Sequence, residues 1–254
     1  MEILGKVISD KAAETISEIE AKLKKPVIYS FTDTSKTLSF GQCDYTQPDA
    51  YYVYSKQSLF NITKANQVNI PFETNILHEL LHLCQIEEGF PYTGTVNLAA
   101  SDGIDLGSTF ASVILDLNVD VRLKDLGYSS EYFYKNRLIH ARKEAMKGRA
   151  YDSPVSFVSI AVSLIGEQIL YPVKETDEVL LEYAKKNPGL INCVKTVSSG
   201  IRQIGYSDAE KTFRSLVYLF SAFNLFSTHS ITYCGKTYLK LDDVKADYLN
   251  IRTV

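Results

Sequence analysis

His78-Glu79-Leu80-Leu81-His82 sets two histidines one helical turn apart, with a glutamate directly after the first. Residues four apart on an α-helix lie on nearly one face, so both imidazoles can aim a nitrogen at a single ion about 2.0–2.1 Å away. Glu79 is rotated by about 100° from His78, which carries its carboxylate beside such an ion, where it can take a proton from water. Leu77, Leu80, Leu81 and Leu83 clothe the other sides of the segment, which makes it a buried core helix. Two histidines and a glutamate are a costly choice for a buried helix unless something satisfies them. With four histidines in 254 residues, a shuffled chain of this composition would carry the pattern in well under roughly one case in a hundred. The bland alternative is a pair of hydrogen-bonded core histidines that bind no metal.

The motif on its apolar helix resembles the zincin metallopeptidases, over roughly residues 25–130 and without a close match to any one zincin family. The resemblance implies zinc as the ion, His78 and His82 as ligands, and Glu79 as the general base that activates a water made acidic by the metal. It also implies a peptide or protein as substrate.

A third protein ligand has to come from elsewhere. Zincins with a collagenase-like extended motif place a glycine three residues after the second histidine and a ligand three residues further on; here those positions hold Gln85 and Glu88. Without the glycine the helix is expected to run on to Gly89-Phe90-Pro91, which turns Glu88 away from the metal face. Downstream, the apolar run from Ser108 to Leu123 reads as a second core helix, yet carries Asp116 and Asp120 at i,i+4. In thermolysin-like zincins a second helix supplies a glutamate ligand, and an aspartate four residues later holds a metal-binding histidine by its other nitrogen. Asp116 and Asp120 resemble that pair in spacing and order, with aspartate for glutamate shortening the reach of the ligand by one methylene. A carboxylate at Asp120 would fix the histidine tautomer and raise its basicity. The competing reading pairs Asp120 with Arg122 or Lys124 on a solvated face and leaves Asp116 to a local cap or pair. His140, in a basic stretch, and His229, in an expected loop, are the other candidates for third ligand or oxyanion donor.

Composition bounds the rest. The chain is 45% apolar and 22% charged, enough for a sizeable core. Its net charge of −3 and lack of an extended basic run disfavour nucleic acid or an anionic membrane surface as partner. The first ten residues lack the apolar region of a secretory signal, and the apolar stretch from Val155 to Leu170 is interrupted by Glu167 and is short for a membrane span. A cytoplasmic location is therefore expected, with Cys43, Cys84, Cys193 and Cys234 as free thiols, since no C-x-x-C pair is present.

Along the chain, the pattern predicts an α+β fold of two lobes. Residues 1–128 form a zincin-like metal-binding lobe with a small sheet and the active-site helix, and residues 129–254 form a mostly helical lobe with a terminal hairpin. In the first lobe an amphipathic helix from about Ser9 to Lys25 precedes a strand at Val27–Phe31 and a tyrosine-rich strand at Tyr51–Ser55, the latter the candidate sheet edge for pairing with a substrate. Turn chemistry from Asp44 to Ala50, a polar stretch with Asn66, and the run Pro91 to Gly107 with Ser101-Asp102-Gly103 read as loops. In the second lobe, segments near 130–147, 154–170, 177–186, 190–204 and 208–225 have helical spacing, and Ile231 to Leu241 alternates around Gly235 as a hairpin. Beside the peptidase reading stands a regulatory or non-catalytic protein that keeps the fold to bind an intracellular partner.

Overall fold

The motif helix starts where its sequence can satisfy the first free amides. Asn69 accepts from Phe72 N at 3.1 Å, Pro71 lies in the first turn and Glu73 adds negative charge there; each favours a helix N-terminus. The helix runs over Ile70–Glu87 and is buried on several sides, as the leucine pattern predicts. The computed structural model describes residues 1–32, 41–61, 68–96, 106–147, 154–248 and 252–253. Asn66 and Ser101-Asp102-Gly103 lie outside them.

Among the described residues the chain is α+β, with small sheets and helices in its first part and a mostly helical remainder. It divides into two compact units, one of residues 1–88 and 119–133, the other of residues 89–118 and 134–254.

In the first unit a short hairpin of β1 (Glu2–Ile3) and β2 (Lys6–Val7) leads into α1 (Asp10–Glu20). Strands β3 (Val27–Thr32), β4 (Gly41–Asp44) and β5 (Tyr51–Lys56) form a sheet in the order β3-β5-β4, with β3 parallel and β4 antiparallel to β5. The tyrosine-rich strand is therefore central and not the edge; among the described residues β4 is an edge strand instead. That strand is four residues long and half polar, too short for alternation to reveal it. A single turn, α2 (Gln57–Phe60), precedes the motif helix, α3 (Ile70–Glu87). Both α1 and the sheet pack on α3, with Ile16, Val53, Phe72, Ile76, Leu80 and Leu83 in the shared core.

Polar clasps fix α3 at its two ends. Near its start, the buried Glu73 carboxylate accepts from Ser9 N at 2.6 Å and Ser9 Oγ at 2.9 Å, and Ser9 is itself the N-cap of α1. At its end, Glu87 accepts from the Tyr51 hydroxyl and pairs with Lys24. Burial and the Glu87 bond push the Tyr51 phenol up to about 12, so it remains a neutral donor at neutral pH.

The second predicted core helix is α4 (Leu106–Asp125). Its Val119 and Leu123 belong to the first unit's core, and it stops at Gly127, whose φ of +78° suits a glycine C-terminal cap. There Gly127 N donates to Lys124 O and Tyr128 N to Leu123 O.

The second unit contains most of α5 (Glu131–Met146), with α6 (Pro154–Leu170), α7 (Lys174–Ala184), α8 (Leu190–Ile204), α9 (Ala209–Ala222) and α10 (Leu241–Asp247). Glu167, the charge that interrupts the most apolar stretch, is held on α6 by Arg137 Nε at 2.6 Å. No helix among the described residues is long and apolar enough to cross a membrane. The terminal hairpin is present as β7 (His229–Tyr233) and β8 (Lys236–Tyr238), and β6 (Tyr92–Thr95), expected as loop, adds a third antiparallel strand beside β7. The four cysteines are free thiols.

Candidate metal centre

On α3 the two imidazoles converge. His78 Nε2 and His82 Nε2 lie 3.1 Å apart, close to the separation of about 3.3 Å required of two nitrogens each 2.0–2.1 Å from one tetrahedral ion. Both side chains are half-buried. Asp116 on α4, also half-buried, completes the group. One ligand atom from each of His78, His82 and Asp116 lies within 4.8 Å of the others, an arrangement that could hold a metal ion.

His82 has a hydrogen-bond partner within its own helix. Gln85 Oε1 lies 2.9 Å from His82 Nδ1, and an amide oxygen only accepts hydrogen bonds. A proton on Nδ1, donated to that oxygen, would leave the Nε2 lone pair directed toward His78. Gln85 is buried, at 1% exposure, so water competes little for this bond. The sequence reading weighed position 85 only for its missing glycine. Its signal as a histidine partner was the i,i+3 spacing from His82. Replacing Gln85 by Ala is expected to weaken binding of added zinc by about 10–100-fold, read by competition with a chromophoric chelator. Gln85→Glu, which keeps the acceptor, should stay near wild type, and unchanged affinity in Gln85→Ala would remove Gln85 from the site.

Glu79 projects from the same turn and is 6% exposed. Its Oε1 lies against Gly41 of β4, at 2.6 Å from where a β-carbon on that glycine would stand. Asn75, one turn earlier on the same face, donates from Nδ2 to Ser55 Oγ of β5 at 3.3 Å. The glutamate is thus held at a seam between helix and sheet.

The other predicted residues go to different places. Glu88 is exposed and makes a two-pronged pair with Arg122, at 2.9 Å to Nη1 and 2.5 Å to Nη2. Arg122, one of the two partners weighed for Asp120, pairs with Glu88. Asp120 is buried and accepts from Ser130 Oγ. His140 is exposed on α5. His229, expected in a loop, is the first residue of β7 and is fully buried, with Phe110 and Phe220 edge-on to its ring and Thr228 Oγ1 at 2.6 Å from Nδ1. Burial raises the pKa of the Cys84 thiol, which keeps it neutral two residues beyond His82.

No protein family model, curated protein or solved structure matches this chain. What it does has to be argued from the site itself.

The donor set suits a borderline divalent ion. Imidazole nitrogen and carboxylate oxygen are ligands for zinc and for several other first-row metals.

Proposed function

We propose that this chain is a zinc-dependent peptidase of the zincin type, with His78, His82 and Asp116 as metal ligands and Glu79 as general base. The observation that supports it most is the approach of the two Nε2 atoms to 3.1 Å with a buried carboxylate one residue from His78. A structural metal site has no use for that glutamate. Asp120, buried one turn beyond Asp116, would hold His78 as Gln85 holds His82.

When bound, zinc would supply Lewis acidity, lowering the pKa of a water to about 7 and polarising the carbonyl under attack. Glu79 takes the proton of the attacking water and returns it to the leaving amine nitrogen, so one carboxylate serves as base and then as acid. Gln85 keeps the His82 lone pair aimed inward throughout. A peptide or protein substrate follows from the resemblance of the motif to the zincins.

The test is a cleavage screen. Zinc-loaded protein is incubated with a proteome-derived peptide library, and new termini are read by mass spectrometry with and without 1,10-phenanthroline. Termini that vanish with the chelator are expected. If a protein carrying one zinc per chain produces none, the peptidase reading falls and a binding role takes its place.

A further inference from the structure

We propose that Gly41 and Asn75 position the Glu79 carboxylate, with the glycine acting as a spacer whose missing side chain leaves room for the base. The inference rests on Glu79 being the base of the proposed reaction, and deepens that reading by naming what holds the base in place.

Gly41 is buried at the start of β4. Its backbone does not require glycine: the left-handed glycines among the described residues are Gly5, Gly89, Gly127, Gly205 and Gly235. What glycine supplies is space. A β-carbon at position 41 would lie 2.6 Å from Glu79 Oε1 and 2.7 Å from both Asn75 Nδ2 and Asn75 Oδ1, against an optimal separation of about 3.5–4.0 Å for non-bonded carbon atoms. The flexible ends of two side chains therefore rest on the bare backbone of the strand.

Asn75 and Glu79 are four residues apart on α3 and share a face. Asn75 is tied by its amide to Ser55, and Ser55 is the residue paired with Gly41 across the sheet. Ser55, Asn75 and Glu79 are 0%, 3% and 6% exposed. Ordinary packing of helix on sheet would use apolar residues here, because each polar group costs desolvation unless it is organised. A glycine that admits a carboxylate, beside an asparagine anchored to the strand opposite, limits where that carboxylate can sit.

In a zinc-loaded Gly41→Ala protein the carboxylate has to move by about 1 Å, and a displacement of that size can cost about 10²-fold in turnover. The expected result is a kcat on a quenched-fluorescent peptide pool about 10²-fold lower, with KM and zinc content near wild type. Stability supplies a second reading that does not depend on turnover. Gly41→Ala is expected to lower the thermal midpoint by roughly 5 °C in the wild-type background, and by much less when Asn75→Ala and Glu79→Ala have removed the atoms it meets. Equal losses in both backgrounds, or no loss in either, would overturn the spacer role. A clear difference between backgrounds with kcat unchanged would overturn the positioning role. If Glu79→Gln also left turnover unchanged, the failure would lie in the assignment of Glu79 as base and not in the contact with Gly41.

Discussion

Glu79→Gln is expected to keep the metal content of the wild-type protein and to lower peptide hydrolysis by about 10²–10⁴-fold, the range contributed by a positioned general base. The substitution exchanges one carboxylate oxygen for an amide nitrogen at nearly constant volume, so the seam against Gly41 and Asn75 stays filled. What is lost is the capacity to take up a proton. Because Glu79 is 6% exposed, bulk buffer is poorly placed to replace it. Metal content by elemental mass spectrometry and kcat by peptide cleavage separate the outcomes. Retained metal with lost turnover supports the base role, and loss of both makes Glu79 a structural element of the site. Retained turnover would put the proton elsewhere. A protein that works by binding a partner would tolerate the change, so the same variant also separates the enzyme from the non-catalytic alternative.

His82→Ala is expected to abolish stoichiometric metal binding, and Asp116→Ala to do so as well. With His82 gone, the pair of nitrogens that meet at 3.1 Å is reduced to one imidazole, and chelation by one helix is lost. The effect should exceed the 10–100-fold expected for partners that only orient a ligand, because a direct metal bond is removed. Elemental analysis of wild type should find one ion per chain, with both variants near background. Metal retained in Asp116→Ala would make the site two histidines plus solvent. The other candidates are poorly suited to replace Asp116: Glu88 is committed to Arg122, and His229 is sealed between two phenylalanine rings.

The elements that sequence located well are those whose pattern is long. The helix α3 could be read from the spaced histidines, the leucines and the stop at Gly89. Helices α5, α6, α7, α8 and α9 lie where apolar spacing placed them. Short elements were missed. Strand β6 carries two threonines and a glycine in four residues, and its order comes from pairing with β7, more than 130 positions later. His229 was misread for the same reason, since a histidine next to serines looks like loop until the partner strand is known.

The site divides along the same line. The sequence alone determined that His78 and His82 face one point and that Glu79 stands beside them, because helix geometry is local and a separation of four residues is one turn wherever the helix is placed. It also determined a buried second helix with carboxylates at 116 and 120. Only the tertiary structure decided that Asp116 comes within reach of the histidines, that Gln85 lies against His82 Nδ1, and that Glu79 lies against a glycine on a strand. Those outcomes depend on how helices and sheet pack, and on which rotamers the packed core permits. Spacing along the chain does not encode them.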